Sequence, residues 1–424
     1  MKLRHFAAVA VLGSGLAQTA AAETITLDVL HCHASFSRFH QPIADAFMAE
    51  NPDIRINFLA PCAGYDEGHQ QMLRFAVTNN LPDIYFSGYH LLGELAETLA
   101  TRSQIIDLQP YLDALGEDYI RDNYDPNILS LGRINGTQYG LPVNASSPIM
   151  YFNADLVRQA GGDPQNMPDT FEEVLELAAD IDTLGDNING IGYDLPGWPD
   201  DWLWQAIIYQ QGGTLFDPEA KKVGFDNEIG LNALTLARRF VTEGGMEPLD
   251  WDQSRQQFGA GLTGIIFSTP AHLQTIEGLV GDRFELGTTL FPIDDKENGG
   301  IPTGGNAAVV LAQDEAKREA AWKYALFTTG PEAQTIVVEI AGYLPTNLRA
   351  LGDDYLAPHY TANPNASTAA RQADRSRPWL GYPGGESVRI WRAQRDIIGQ
   401  VMRGEVSPED GLARMVSETE ALMN

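Results

Sequence analysis

The sequence predicts an α/β protein of two lobes with a ligand cleft between them. Strand-like apolar runs alternate with amphipathic helical segments, which is typical of a mainly parallel sheet covered by helices. The 424-residue chain is 44% hydrophobic, enough apolar material for two cores. Three segments also combine an extended apolar run or bare glycines with small hydroxyl residues. These segments predict three places where the chain crosses from one lobe to the other.

The first 22 residues have the pattern of a secretory signal peptide. Lys2 and Arg4 precede a short apolar run over residues 6–17, and residues 20–22 are small alanines suited to cleavage. The run is too short to span a bilayer. We therefore expect export to the periplasm and cleavage after Ala22.

The charge of the chain limits its partners. The net charge of −29 becomes −31 once residues 1–22 are removed, because that segment holds two of the 28 basic residues and no acid. Such a surface repels nucleic acid and anionic membranes. It is typical of a well-solvated protein, and we expect a monomer.

The first predicted lobe begins with strand and helix alternation. Residues 25–30, 54–59 and 83–86 read as buried strands, and residues 36–50 and 65–78 as the helices between them. In such sheets ligand loops follow the carboxyl ends of the strands. Here these loops are residues 32–35, 61–65 and 87–90.

Both cysteines end predicted strands of this sheet. Successive strands of an α/β sheet are often neighbours, so their ends can lie close together. In an exported protein, this placement of Cys32 and Cys62 predicts a disulfide between them. A metal site is the alternative, since several histidines lie nearby, although the spacing matches no standard zinc pattern. These histidines are His31, His33, His40 and His69.

The three predicted crossings share their chemistry. The first is the stretch 139–156, where Ser146 and Ser147 precede an apolar run over residues 148–152. The second is the run 258–267 followed by Ser268 and Thr269. The third is Gly304–Gly305, where exposed backbone N–H groups can approach an anion. These crossings divide the mature chain into a first lobe of residues 23–142 and 270–304, and a second lobe of residues 143–269 and 305–424.

The second lobe contains a tryptophan-rich segment with two interpretations. Residues 198–204 read W-P-D-D-W-L-W. Trp198 in particular could stack on a ligand beside the acidic residues. The alternative is that these rings belong to the core of the helix that follows, which is the commoner fate of large aromatics.

No catalytic motif stands out in the chain. It has no Walker A sequence, no G-x-G-x-x-G after the first strand, no H-E-x-x-H and no G-x-S-x-G in the mature part. A hydrolase with a carboxylate pair stays open, because the chain has 57 acidic residues, but the sequence singles out no pair among them. Binding without catalysis, metal or cofactor is therefore expected.

Several short motifs occur in an order that resembles the extracellular solute-binding proteins of bacterial ABC importers, in the group that includes maltose- and glycerol-3-phosphate-binding proteins. The likeness to the glycerol-3-phosphate-binding members extends along nearly the whole mature chain. The matching segments are residues 47–53, 142–153, 161–168, Gly304–Gly305, 342–345 and 363–372. The resemblance implies the periplasmic binding protein fold, a small polar ligand such as a phosphorylated polyol, and delivery of that ligand to permease subunits.

The resemblance also implies ligand-binding residues. Five match the family at their positions: Tyr65, Ser146, Gly305, Tyr343 and Arg389. Thr269 replaces a family serine and keeps its hydroxyl, and Phe171 replaces a family tryptophan and keeps an aromatic ring. Ser146 and Thr269 supply hydroxyls for a phosphate, and Arg389 supplies a bidentate cation. Tyr89 occupies the place of a family carboxylate that holds glycerol hydroxyls. This departure makes a glycerophosphodiester a credible ligand alongside glycerol 3-phosphate, with a sugar or oligosaccharide as the alternative.

Overall fold

The computed structural model describes residues 24–217 and 219–423; the predicted signal peptide lies outside them. The strands are β1 (Ile25–Leu30), β2 (Ile54–Phe58), β3 (Ile84–Gly88), β4 (Arg133–Ile134), β5 (Thr137–Gln138), β6 (Gly140–Ser146), β7 (Ile149–Asn153), β8 (Asn189–Gly192), β9 (Phe216–Asp217), β10 (Lys222–Val223), β11 (Thr263–Ser268), β12 (Leu286–Thr289), β13 (Ile301–Val310) and β14 (Ser376–Pro378). The α-helices are α1 (Ser37–Glu50), α2 (Tyr65–Thr78), α3 (Tyr89–Ala100), α4 (Gln109–Leu115), α5 (Glu117–Asn123), α6 (Pro126–Ser130), α7 (Ala154–Gln159), α8 (Phe171–Asp182), α9 (Trp202–Tyr209), α10 (Glu228–Thr242), α11 (Trp251–Gly259), α12 (Leu273–Val280), α13 (Glu315–Thr328), α14 (Pro331–Ala341), α15 (Ala357–Ala362), α16 (Ser387–Met402) and α17 (Pro408–Met423). Short 3-10 helices cover Ala34–Phe36, Pro270–His272, Leu348–Leu351, Pro364–Ser367 and Ala370–Arg375.

The first lobe is built on a six-stranded sheet in the order β14-β13-β3-β1-β2, with β6 pairing along β13. Strands β1, β2 and β3 run parallel, as the strand and helix alternation predicts. Side chains alternate between its faces: Val29 and Phe86 enter one apolar core, Leu30 and Tyr85 the other. The two-lobe α/β prediction is confirmed.

The second lobe is built on a four-stranded sheet in the order β12-β7-β11-β8. Helix α9 is buried along its whole length, so it lies inside this lobe rather than on its surface. Helix α8 is capped by Thr170, whose Oγ1 accepts from the Glu173 N–H. One apolar core joins these elements to α10 and α16.

The strand pairing differs from the predicted lobe boundaries in four segments. Residues 143–146 of β6 and strand β14 were assigned to the second lobe, but both pair with β13 in the first sheet. Strand β12 was assigned to the first lobe, but it pairs antiparallel with β7 in the second sheet. Strand β11 lies in the same sheet, so the chain returns to the first lobe between β12 and β13 rather than at Ser268–Thr269 as predicted. Residues 305–310 were assigned to the second lobe, but this part of β13 pairs with β3 and β6 in the first sheet, and α13 contacts β1. The sequence pattern of a buried apolar strand shows that the segment is a strand. It does not show which neighbouring strand accepts and donates its backbone hydrogen bonds.

The disulfide prediction is confirmed, because Cys32 and Cys62 are bonded to each other. They continue the parallel pairing of β1 and β2: the Cys62 N–H donates to His31 O at 3.2 Å, and the His33 N–H donates to Cys62 O at 2.8 Å. Both thiols are therefore used in a covalent link. Within the described residues, no group of three or more His, Cys, Asp or Glu side chains could hold a metal ion.

Over the same part of the chain, none of the helices has the length and apolar character that a membrane span requires.

Candidate functional site

A cavity of about 350 Å³ lies where the lobes meet. The first lobe contributes the loops after β1 and β2 and the segment after α14. The second lobe contributes the loop before α9, helix α11 and the turn after β11. Phe, Tyr and Trp rings make up much of the walls, and polar side chains from both lobes lie among them. This composition is typical of a site for a small ligand.

The first-lobe wall is formed by strand-end loops that the disulfide joins. His33 follows Cys32 and has φ 60°, a left-handed conformation. Its ring meets the Tyr65 ring edge-on, with centroids 4.9 Å apart. Burial lowers the pKa of His33 to about 4, and His31 adds to the shift, so the ring is neutral at neutral pH.

Polar groups from the crossings meet in the cavity. Ser146 Oγ and Thr269 Oγ1 lie 2.8 Å apart and form a hydrogen bond in which either hydroxyl can donate, although they are 123 residues apart in sequence. Gly305 lines the cavity beside them and has φ +122°; a Cβ there would lie 2.2 Å from Asn144 O. Only glycine fits this position, and its lack of a side chain lets a ligand approach the backbone.

Asn306 connects these groups to the first-lobe wall. Its N–H donates to Asn144 Oδ1 at 2.8 Å, and its Nδ2 donates to the Tyr65 hydroxyl at 3.1 Å. Tyr65 therefore keeps its hydroxyl proton for another acceptor. Tyr343 lines the same side of the cavity and packs edge-on to Phe36 at 6.0 Å.

The second-lobe wall is a set of stacked rings with one arginine. The ring centroids of Trp198 and Trp202 are 5.7 Å apart, and those of Trp251 and His272 are 5.0 Å apart. Arg255 lies over Trp251, with Cζ 4.3 Å from the ring centre. Its Nη2 donates to Asp252, whereas Nη1 and Nε find no acceptor within the described residues. Arg255 is thus a largely buried cation with free donors at the cavity.

Two adjacent aspartates play different roles here. Asp201 is buried, and its oxygens accept from Trp379 Nε1 and Gln205 Nε2, each at 2.8 Å. Asp200 lines the cavity, and among the described residues only the Trp202 N–H donates to it, at 3.2 Å. Burial raises the pKa of Asp200 to about 7; His90 opposes the shift, and Asp201 adds to it.

The structure brings together most of the sequence-predicted site residues but not all. Tyr65, Ser146, Trp198, Thr269, Gly305 and Tyr343 line the cavity. Tyr89, Phe171 and Arg389 do not lie among its lining residues. Tyr89 is buried and donates its hydroxyl to Asn144 O at 2.9 Å, and Phe171 packs in the second-lobe core. Arg389 has a 63% exposed side chain that pairs with Glu386.

Sequence reasoning missed several lining residues. Arg255 and Trp251 lie on α11, and their spacing of four residues places them on one helix face, a signal that could have found them. Asp200 was seen only as part of the tryptophan-rich segment. Trp379 had no local signal, because it reaches the cavity from the polar segment before α16.

The buried Asp194, which precedes the tryptophan-rich segment 198–204, should make the stability of the protein depend on pH. Burial raises its pKa to about 7, from an ordinary value of about 3.9 in an unfolded chain. The folded protein then holds an extra proton between these values, so the free energy of unfolding falls as pH rises through this window. In the parent, the free energy of unfolding should decrease between pH 5 and pH 8, and Asp194→Asn should make this decrease smaller by about 2 kcal/mol. Urea unfolding at the two pH values measures it. The exposed Asp353→Asn should keep the parent's fall, and an unchanged fall in Asp194→Asn would contradict the prediction.

Comparisons with known proteins agree with this architecture. The family model for bacterial extracellular solute-binding proteins matches residues 33–335. The sn-glycerol-3-phosphate-binding periplasmic protein UgpB of Escherichia coli K12 is 24% identical, covering 100% of this chain and 98% of its own. The structure of UgpB from Mycobacterium tuberculosis in complex with glycerophosphocholine superposes with a TM-score of 0.79 at 19% identity, covering 94% of this chain and 98% of that one. The Listeria monocytogenes substrate-binding protein in complex with cycloalternan gives 0.78 at 17% identity, with 95% and 99% covered.

Proposed function

The chain belongs to the bacterial extracellular solute-binding protein family, and from this premise we propose that it captures a glycerol phosphate compound, either glycerol 3-phosphate or a glycerophosphodiester. Members of this family are the solute-binding components of ABC importers and are not enzymes. The proposed setting is the periplasm, after cleavage of residues 1–22. There a monomer would close its lobes around the ligand and present it to the permease subunits.

One observation carries the choice of a phosphate compound. The Ser146 and Thr269 hydroxyls, the bare backbone at Gly305 and the free donors of Arg255 all lie at one cavity. A phosphate has several acceptor oxygens and binds best to a cation combined with O–H and N–H donors. Since the cavity histidines His33 and His272 are kept neutral by burial, Arg255 is the buried positive charge available. Arg38 adds a second, exposed cation at the rim.

A neutral sugar is the second candidate. The rings of Trp198, Trp202 and Trp251 offer flat apolar faces on which a sugar could stack, and a relative of similar fold binds cycloalternan. In that case Arg255 would serve a structural role through its contact with Asp252. Two ligand classes therefore need to be compared on the same protein.

A ligand screen separates the two candidates. Mature protein is mixed with glycerol 3-phosphate, glycerophosphocholine or maltose, and its thermal unfolding and binding heat are recorded. We expect stabilisation by at least one phosphate compound and none by maltose, because a ligand that binds only the folded state raises the unfolding temperature. Stabilisation by maltose alone would overturn the proposal. Chemical analysis of the recovered ligand should show it unchanged; its consumption would contradict a binding role.

A further inference from the structure

The aromatic part of the cavity holds one acidic side chain. Asp200 is the only Asp or Glu among the described lining residues, and it sits between Trp198 and Trp202 in the sequence. A carboxylate at an apolar wall loses much of its hydration, so it costs free energy unless a partner restores the lost interactions. The raised pKa of Asp200, about 7, reflects this cost. Its Oδ2 receives no hydrogen bond from the described residues.

The neighbouring Asp201, rather than Asp200, makes the hydrogen bonds that hold this part of the structure together. Asp201 accepts from Trp379 and Gln205, and it thereby ties the segment before α9 to the segment before α16. Asp200 makes no such connection. Its one hydrogen bond, from the Trp202 N–H, lies within its own turn. What Asp200 offers is a negative charge at the cavity.

Two of the three tryptophan rings around this charge have their N–H groups engaged by protein acceptors, so they offer the cavity apolar faces. The Trp202 Nε1–H donates to Pro302 O at 3.0 Å, and the Trp379 Nε1–H donates to Asp201. His90 covers one face of Trp379, with ring centroids 3.7 Å apart. Sugar hydroxyls need several hydrogen-bond partners, whereas a quaternary ammonium needs π-faces and a counter-charge. The rings and Asp200 supply the second set.

We infer that Asp200, with the rings of Trp198, Trp202 and Trp379, binds a cationic ammonium group of the ligand. The inference rests on the proposed function: with an anion at Arg255 and a cation at Asp200, the ligand is a zwitterionic glycerophosphodiester such as glycerophosphocholine. Glycerol 3-phosphate lacks the cation and leaves Asp200 unpaired. The cavity therefore discriminates between the two phosphate compounds.

The test measures the ratio of two affinities. Calorimetry at pH 8 is run with glycerophosphocholine and glycerol 3-phosphate on the parent protein, on Asp200→Asn and on Asp353→Asn. Asparagine keeps the shape and one acceptor but removes the charge. We expect Asp200→Asn to bind glycerophosphocholine at least tenfold more weakly and to change glycerol 3-phosphate binding by less than threefold. Asp353→Asn, which changes an exposed residue in the loop before α15, should alter the affinity for neither ligand. Equal changes for both ligands, or none, would overturn the inference.

A second measurement does not depend on any variant. The carbon isostere of glycerophosphocholine, in which a neutral carbon replaces the ammonium nitrogen, should bind the parent at least tenfold more weakly; equal binding overturns the cation site. If the parent binds maltose and neither phosphate compound, the proposed function fails on its own. Choline competition then decides the cation site: displacement of maltose from the parent but not from Asp200→Asn supports it, and no displacement overturns it.

Discussion

Replacing Arg255 by alanine should weaken the binding of a phosphorylated ligand by about 100-fold, whereas Arg389→Ala should leave the affinity within about twofold. Removing a charge-assisted donor pair from a desolvated site costs about 3 kcal/mol, which corresponds to about 100-fold in the dissociation constant. Arg255 is largely buried at the cavity with two nitrogens free of protein acceptors. Arg389 is 63% exposed and pairs with Glu386.

The two arginines form a matched pair for this experiment. Both lie on helices, and each pairs with an acid three residues away in the sequence. Arg255→Lys is the conservative variant: it keeps the charge but loses the planar fork, so its affinity should fall between parent and alanine. Thermal unfolding without ligand checks that each variant is folded. A loss of affinity in Arg389→Ala that matches or exceeds the loss in Arg255→Ala would contradict the assignment.

Replacing Cys32 and Cys62 by serine should lower the free energy of unfolding by about 3–4 kcal/mol. The bond closes a loop with a sequence separation of 30, and the chain-entropy estimate for a loop of that size gives about this value. Urea unfolding of the double variant and the parent measures the difference. Parent protein treated with a thiol reductant should unfold like the double variant. Equal urea midpoints for oxidised parent and double variant would contradict the prediction.

The same substitution should weaken ligand binding by about tenfold. The disulfide joins the two loops that carry His33 and Tyr65, and the His33 N–H is held by Cys62 O. Without the bond, these loops become free to separate, so binding must also order them. Calorimetry below the unfolding transition separates this effect from the loss of stability. The Asp353→Asn control keeps the disulfide, so its affinity for the ligand should equal that of the parent.

Much of the site could be predicted because its motifs are local. Ser146 ends a strand before an apolar run, and Gly305 has no side chain where the backbone must turn toward a ligand. Tyr343 was implied by the family resemblance, through the short motif of residues 342–345 that follows α14. Each of these residues carries its signal within a few positions of the chain. The three predicted crossing segments thus indicate which residues line the cavity before any tertiary contact is known.

The predicted arginine shows where local signals end. Arg389 lies in the first turn of α16, and the buried faces of Ile390 and Trp391 orient that helix so that Arg389 points to solvent. Arg255 reaches the cavity because α11 packs beside β11 and α12. Both residues sit on amphipathic helices, and the sequence pattern shows which face of each is apolar. It does not show what that face packs against.

The sequence by itself determined the two-lobe α/β class and the disulfide, since these depend on periodicity and on strand ends. Tertiary structure alone decided which sheet β12 and β13 join, because a strand edge carries the same hydrogen-bonding groups wherever it pairs. It also decided that Arg255 and Asp200 line the cavity, whereas Arg389 and Tyr89 do not lie among its lining residues. Their convergence requires α11 to pack against the segment before α9 within the second lobe, as the contact between the Trp251 and Trp198 rings shows, and no local pattern encodes that packing.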